Sequence, residues 1–490
     1  MPTSGRDIVL FYPSTGIDVA GSTISLPLAL LYPASLPHAH GYPVQIIDQR
    51  VDPDWRQHLT TALQRQPLCF GVTAMTGAQI GHGLEASRLA RSLTRAPIVW
   101  GGVHASLLPE QTASDPDVDI VVVGEGERTF FELVQALEHG TPLHDIPGLC
   151  FKQDGKALLT PSRAFERLDE LPDLPYELVD VRQYFAESYI RGRTLSVVTG
   201  RGCPHLCGFC YNRAFNKSTF RKRGAHQIVE AIRELVAFGA ENVFFCDDIF
   251  FSDKRRAEDF CHALLDSGLQ VGILTNCRID YLDRYDDDFL RLLKKCRFYL
   301  SIGVETGSAR MLELIRKGIT IDQVHRVNAK LARVGLDFNY TFMGGFPTET
   351  WADINQTVDL MLQVRRDNPR ALTTPLKVFT PLPGTELYDL AMEHGFKPPQ
   401  TLQGWARYSH NLANFQWGSP RDVQLLERIS WFTCFLDEQQ MQILFGKNPL
   451  LRGAISAYAR VARLRCQHHA YRFTPEVAVM RAVYGRLYQG

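Results

Sequence analysis

The chain carries no surplus of charge. Lys and Arg together number 53, and so do Asp and Glu, so no overall field draws nucleic acid or an anionic membrane. No apolar run reaches membrane-spanning length, which argues against a spanning protein. Met1 to Asp7 run straight into a short apolar strand, without the pattern of a secretory signal. No G-x-G-x-x-G follows the first strand, so the dinucleotide fingerprint is missing. There is no internal repeat and no low-complexity tract. Eleven cysteines in 490 residues, irregularly spaced outside one cluster, do not make a disulfide scaffold. They point to a reducing, cytoplasmic compartment, where clustered cysteines bind metal or do redox chemistry.

What is present is length and alternation. At 490 residues with 45% apolar content, two or three domains with sizeable cores are expected. Residues 1–150 alternate short apolar runs ("IVLFY", "VQIID", "CFGVT", "PIVW", "IVVVG") with helical patterns such as "GLEASRLARSLT". That pattern predicts a doubly wound parallel sheet covered on both faces. Such sheets bind ligands beyond the carboxyl ends of their strands. Here those ends read "YPSTG", "GVTAMTG", "WGGVHAS" and "VVGEGERTF". Residues 151–193, with charges and prolines in "LDELPDLPYEL", read as a linker.

Residues 194–400 alternate again. Six strand candidates begin with "TLSVVTG" and end with "LKVFTPL". "AHQIVEAIRELVAFG" and "WADINQTVDLMLQV" read as helices, the latter with Thr350 and Asp353 at capping-box spacing. Six βα units predict a partial (β/α)6 barrel with its chemistry at the carboxyl ends of the strands. Residues 401–490 read as mostly helical. From Gln439 onward they hold eight Lys or Arg against one acid, Glu476.

The stretch "RGCPHLCGFCYN", Arg201 to Asn212, follows the first barrel strand. Cys203, Cys207 and Cys210 are spaced for one tight loop around a compact metal centre. Thiolates are soft ligands for iron–sulfur clusters, zinc or Cu(I). A structural zinc site closes with four ligands, and His205 is poorly placed between two of the cysteines to be the fourth. Three thiolates holding a 4Fe-4S cluster leave one iron open. Zinc and unmetallated core cysteines are the alternatives at this point.

"CPHLCGFC", of the form C-x-x-x-C-x-x-C, resembles the signature of radical S-adenosylmethionine (radical SAM) enzymes. The resemblance implies that SAM completes the open iron and is cleaved to methionine and a 5′-deoxyadenosyl radical, which takes hydrogen from an unactivated carbon. Further resemblances assign SAM contacts residue by residue. Asp247 or Asp248 in "FFCDDIFF" stands where the family often has Gly-Gly-Glu, which this chain lacks, and would meet the amino group. Arg278 in "NCRID" would pair with the carboxylate, or else form a surface ion pair with Asp280 or Asp283. Glu305 in "SIGVETGSARMLELIRKG" would contact the ribose, or else bridge to Arg310 or Arg316. Gly344 and Gly345 in "FMGGFPTET" would let adenine stack on bare backbone, with Phe209 packed beside it.

"PLALLYPASLPHAHGYPVQIIDQR", "GGVHASLLPE" and "DIVVVGEGERTFFEL" together resemble the cobalamin-binding domain of cobalamin-dependent radical SAM enzymes. The resemblance covers residues 8–400. It implies that Thr73, Gly101, Gly102, His104, Gly124 and Glu125 line the cobalamin, His104 in a structural or tail-contacting role. The Asp-x-His-x-x-Gly motif that supplies a cobalt-ligating histidine is absent, since the segment reads "YPSTGIDVAG".

The leading expectation is therefore methylation of an unactivated carbon in a small-molecule or lipid-like substrate, with a reductant such as flavodoxin or ferredoxin. Radical cyclisation, rearrangement or dehydration is the alternative, and a non-catalytic corrinoid or iron–sulfur sensor is a further one. A tRNA methylthiolase would need a second cysteine trio, and the first domain holds only Cys69 and Cys150; no nucleic-acid partner is expected. Asn276, Tyr340 and Thr380 are candidate substrate-wall residues. In "LLRGAISAYARVARLR", Leu451, Ile455, Tyr458 and Val461 share a face, with Arg452, Arg460 and Arg463 elsewhere. That pattern admits peripheral docking at a membrane surface, beside the commoner reading of a solvated face.

Overall fold

The structure is a computed structural model. It describes residues 5–187, 190–408, 415–437, 449–472 and 474. The chain forms two compact units. One comprises Met1–Gly202, Ala214–Cys246 and Pro398–Ser409; the other comprises Cys203–Arg213, Asp247–Lys397 and His410–Gly490.

The first unit is built on a seven-stranded sheet. Its parallel part contains β1 (Ile8–Tyr12), β2 (Val44–Asp48), β3 (Cys69–Thr73), β4 (Ile98–Gly101) and β5 (Ile120–Val122). β6 (Leu149–Gln153) and β7 (Lys156–Leu159) add an antiparallel hairpin on the β5 edge. Strand order is β2-β1-β3-β4-β5-β6-β7. Succession reverses between β1 and β3, the switch point at which doubly wound sheets open a crevice. The hairpin extends past Cys150, so the stretch read as a linker begins with ordered strand.

The continuous apolar runs explain this sheet. Ile8, Leu10, Cys69, Val99 and Ile120 are buried in one cluster with Leu133 and Val134 from the helix Gly126–His139. Trp100 is fully buried, and its indole N–H donates to Ser87 Oγ at 3.0 Å. At about 25 cal/mol per Å² and roughly 150–250 Å² for a buried aromatic, such a side chain contributes at most about 4–6 kcal/mol, provided its polar atom keeps a partner.

The same unit carries β8 (Thr194–Val197), the short antiparallel pair β9 (Gly200–Arg201) and β10 (Arg221–Lys222), and β11 (Asn242–Phe245). β8 and β11 run parallel, Thr194 opposite Asn242. The helix Ala225–Ala237 joins β10 to β11 as its sequence predicts.

In the second unit β12 (Gly272–Arg278), β13 (Phe298–Glu305), β14 (Asp337–Gly344) and β15 (Ala371–Val378) pair in parallel, each with the next. The register shifts between Gly303 and Glu305 at the end of β13, and again between Tyr340 and Phe342 midway along β14. The helix Trp351–Asp367 starts on the expected capping box: Thr350 Oγ1 accepts from the Asp353 N–H, and Asp353 Oδ2 accepts from the Thr350 N–H. All six strands of the second alternation form. The last begins five residues earlier than "LKVFTPL" suggests, because Thr373, Thr374 and Pro375 lie within it.

The C-terminal part is helical where it is described. Helix Pro449–Gln467 buries Ile455, Ala459, Ala462 and Cys466, and Tyr458 packs on Phe435 with ring centroids 4.6 Å apart. The apolar face considered for a membrane is thus partly spent on the protein itself. Val461 is exposed, as are Arg460 and Arg463; the side chains of Leu451 and Arg452 lie outside the described residues. Among the described residues no helix is long and apolar enough to cross a membrane.

Gly102 and Gly101 differ sharply in what surrounds them. Gly102 has φ +92°, and a Cβ there would stand 2.7 Å from the Ala74 carbonyl oxygen and 2.9 Å from Thr73 Oγ1. At Gly101 the nearest atoms are 3.9 Å away. Gly102→Ala should therefore cost about 1–3 kcal/mol in urea denaturation, and Gly101→Ala less than about 1 kcal/mol. Equal costs would contradict this packing.

Candidate active site

The three clustered cysteines differ from most of the others. Cys69, Cys150, Cys261, Cys277, Cys296 and Cys466 are buried, whereas Cys203, Cys207 and Cys210 are half-buried on one loop. The loop is pinned through its backbone. The Cys203 N–H donates to Asn212 Oδ1 at 3.1 Å and the Cys210 N–H to the Cys207 carbonyl at 3.1 Å. Gly208 is held from both sides: its N–H donates to the Ile315 carbonyl at 2.9 Å, and its carbonyl accepts from the Leu387 N–H at 3.0 Å. A Cβ on Gly208 would stand 2.8 Å from Leu387 Cδ1, which would have to shift to admit it.

The thiols sense one another. Burial pushes Cys210 up to about 12 and raises Cys203, and in each case Cys207 adds to the rise. Thiolates are what a metal binds, so loading this loop releases protons. Arg278 supplies opposing charge: its Nη1 donates to Cys207 Sγ at 3.3 Å. Among the described residues no three His, Cys, Asp or Glu side chains are already gathered at metal-binding geometry. The fit of the site to a cluster rests on its donor chemistry, three thiols on one loop beside a buried guanidinium. His205 is not a fourth donor of this group. Its Nε2 is 2.8 Å from Tyr281 Oη, and burial together with Arg278 lowers it to about 4.

Arg278 sits at the end of β12 and is 6% exposed. Its Nε donates to Asp280 Oδ1 at 2.8 Å and its Nη2 to the Lys317 carbonyl. The ion pair with Asp280 exists, but it is buried against the cysteine loop and is not the surface pair that the sequence also admitted. Asp283 pairs with Arg326 instead.

Glu305 ends β13 with φ +73°. Its Oε1 accepts from Lys317 Nζ at 2.6 Å, with both side chains under 10% exposed. Neither expected partner is used: Arg310 pairs with Asp353, and Arg316 with Glu386. Gly303 makes the pair possible, since a Cβ there would lie 2.4 Å from Glu305 Oε1 and 2.7 Å from Lys317 Nζ. Lys317 also lies over the Phe209 ring at 5.9 Å. The sequence reading missed Lys317; the signal was the "RKG" that follows the helix Ala309–Leu314.

The two adjacent aspartates separate. Asp247 is 1% exposed and stabilises the charge of buried Arg256. Asp248 is half-buried, and its charge raises Cys203, Cys210 and Tyr211. Of the pair, Asp248 faces the cysteine loop.

Gly344 and Gly345 are bare for a different reason from the one expected. A Cβ on Gly344 would stand 2.9 Å from Ile354 Cδ1, and one on Gly345 2.7 Å from Leu426 Cδ2. Protein side chains fill the space that a flat ring was expected to use. Phe209 packs with Met311, Ile315, Phe346, Phe379 and Leu387. Tyr340 is fully buried with its hydroxyl 3.4 Å from Asn328 Oδ1, so it is no substrate wall. Asn276 is exposed at a strand end and donates to the Asp247 carbonyl at 3.5 Å. Thr380 is 9% exposed, with Oγ1 lacking a partner among the described residues.

In the first unit the strand ends meet as expected. Thr73 pairs in register with Gly101. Gly124 has φ +84° and open space where a Cβ would be, and its N–H donates to Ser106 Oγ at 2.9 Å. A cavity of about 220 Å³ lined by Gly124, Ser106, Phe165 and Phe215 opens there. This bare, open turn fits a ligand at the strand ends. Glu125 is committed to Arg221 and Arg201. His104 is fully buried, its Nδ1 3.0 Å from Thr76 Oγ1 and its ring edge-on to Trp405. Burial lowers it to about 4, so the imidazole is neutral, and its Nε2 has no partner among the described residues.

A residue that sequence reasoning passed over is Glu349. Its Oε2 accepts from the Gly345 and Phe346 N–H groups, while Oε1 has no partner among the described residues. Burial pushes its carboxyl from 4.5 to about 8. A raised acid favours the folded state fully below its unfolded value and loses that contribution as pH rises through the folded one. Between pH 4.5 and about 8 the protein should therefore lose stability relative to Glu349→Gln. Parallel stability–pH curves for the two proteins would contradict the assignment.

Comparison with known proteins agrees with this division of labour. Residues 17–134 match the B12 binding domain model, and residues 197–361 match the Radical SAM superfamily model. The chain is 29% identical over 410 residues to an uncharacterized methyltransferase of Pyrococcus horikoshii, covering 82% of this chain and 86% of that one. It is 27% identical to the anaerobic magnesium-protoporphyrin IX monomethyl ester cyclase of Rubrivivax gelatinosus, over 77% of this chain and 68% of that one. Among solved structures, the cobalamin-dependent S-adenosylmethionine radical enzyme OxsB with aqua-cobalamin bound has the same fold, with a TM-score of 0.75 and 15% identity over 99% of this chain and 76% of that one. The chain therefore carries a B12 binding domain ahead of a Radical SAM superfamily domain, and the Cys203–Cys210 loop lies within the latter.

Proposed function

We infer that this enzyme transfers a methyl group to an unactivated carbon of a small-molecule or lipid-like substrate. The observation that carries the reading is the pairing, in one chain, of the cobalamin-binding sheet with the Cys203–Cys210 loop beside Arg278. The likeness to the Pyrococcus methyltransferase over most of both chains supports it. The likeness to the cyclase supports a second reading, radical ring formation on the same scaffold.

When bound, the 4Fe-4S cluster with SAM supplies a primary carbon radical, and cobalamin supplies a transferable methyl group. The chain's own residues bind, orient and exclude water. Cys203, Cys207 and Cys210 would hold the iron. Arg278, which donates to Cys207 Sγ, would help fix where that sulfur meets the cluster. Asp248 is the group on the loop's side that would take the SAM amino group. Glu305, held by Lys317, would accept from the ribose hydroxyls. Phe209 and its apolar neighbours keep water from the reacting carbon. On the first sheet Thr73, Gly101, Gly102 and Gly124 would line cobalamin, with His104 beneath them as a neutral positioning group. We place the enzyme in the cytoplasm, served by a flavodoxin- or ferredoxin-like reductant.

Anaerobically purified protein should contain iron, sulfide and corrinoid. Given deuteromethyl-labelled SAM and a cell extract, it should yield a product heavier by one labelled methyl in place of hydrogen. A product that has lost hydrogen and gained no label would establish the cyclase reading. Radical SAM cleavage without any bound or reconstitutable corrinoid would remove the methylation reading.

A further inference from the structure

The segment that carries the cysteine loop is bracketed by a very short neck, β9 before it and β10 after it. β9 and β10 pair over two residues each, Arg201 opposite Arg221 and Gly200 opposite Lys222. A ladder this short is marginal by itself. Side chains reinforce it. Arg221 grips Glu125 with both ends of its guanidinium, Nη1 to Oε2 at 2.7 Å and Nη2 to Oε1 at 2.6 Å. Arg201 donates to Glu127 Oε1 and lies 3.4 Å from Glu125 Oε1. Each guanidinium also covers a ring, Arg201 over Tyr32 at 4.6 Å and Arg221 over Phe165 at 4.2 Å. Exposure of the four charged side chains runs from 3% to 16%.

Two arginines and two glutamates, balanced and buried, are an expensive way to gain stability. Apolar residues of the same volume are commonly as good or better. A bidentate Arg–carboxylate pair adds fixed geometry. The geometry here joins two places: the neck, one residue ahead of Cys203 at its Gly202 end, and the Gly124–Glu127 turn at the β5 end, where the cavity opens. Glu125 lines that cavity and receives Arg221, so what settles over Gly124 bears on the same carboxylate that anchors the neck.

We propose that Arg221, through Glu125, is a positioning residue that couples ligand occupancy at the Gly124 turn to the order of the cysteine loop. Cobalamin at the first sheet fixes Glu125, Glu125 fixes the neck, and the neck fixes where the chain starts and ends the loop carrying Cys203, Cys207 and Cys210. The proposal rests on the cobalamin reading above.

Hydrogen exchange read by mass spectrometry tests it, on the full cluster-loaded chain under anaerobic conditions with and without hydroxocobalamin. Binding of hydroxocobalamin is followed separately by absorption. In the unaltered protein, amides of residues 203–212 should exchange about tenfold more slowly when hydroxocobalamin is bound. Arg221→Met should still bind it but show less than about a twofold slowing, and Arg221→Lys, which keeps one charge-assisted bond, should fall between. Arg221→Lys also serves where the methionine variant fails to fold: a slowing equal to that of the unaltered protein overturns the proposal. So does full slowing in Arg221→Met, or no slowing in the unaltered protein while hydroxocobalamin is bound. Failure of the unaltered protein to bind hydroxocobalamin overturns the cobalamin reading itself, and the proposal with it.

Discussion

Arg278 ties the active site together. One buried guanidinium donates to a cysteine sulfur, an aspartate and a backbone carbonyl. Those three acceptors belong to the cysteine loop, to the first turn of the helix Ile279–Arg284 that follows β12, and to the segment that carries Lys317. Charge-assisted bonds of this kind are about twice as strong as neutral ones, and a buried guanidinium cannot relieve its cost by losing its proton. The loop must come to Arg278, because leaving that charge buried without acceptors would cost several kcal/mol. Lys317 then reaches Glu305, which brings the end of β13 into the same arrangement.

The first unit shows the same logic at another place. Glu125 and Glu127 sit at the start of the helix Gly126–His139, where a carboxylate is already favoured by the helix N-terminus, and each is met by an arginine from the neck. In both units charge is buried where geometry has to be fixed, and apolar side chains do the rest. The core of the sheet is ordinary close packing of Ile, Leu, Val and Phe.

Much of this was legible in the sequence. The strands of both alternations were visible because their apolar runs are continuous, as strands buried on both faces require. The cysteine trio was visible because three thiols in eight positions have few other uses. What the sequence hid were pairings across space. Asp280 stands two residues from Arg278 and was named as a surface partner, but nothing local shows that Cys207 shares the same guanidinium. Glu305 was matched to a ribose contact, or else to Arg310 or Arg316, five and eleven residues on; its carboxylate is instead met by Lys317. Gly344 and Gly345 were read as bare backbone for an adenine ring, yet the atoms crowding them belong to Ile354 and Leu426. The early start of β15 was hidden by Thr-Thr-Pro, which reads as a strand breaker. Tyr340 alternates to the closed side of its strand, where Asn328 receives it.

The central claim is that three protein thiolates hold a cluster whose remaining iron is completed by SAM. Electron–nuclear double resonance on the reduced, anaerobically reconstituted enzyme with SAM labelled by ¹⁵N at its amino group tests it directly. The account predicts a nitrogen hyperfine coupling to the cluster that appears with labelled SAM and is lost when Cys207 is replaced by alanine. A reduced cluster with no coupling to the labelled nitrogen in the presence of bound SAM would contradict it.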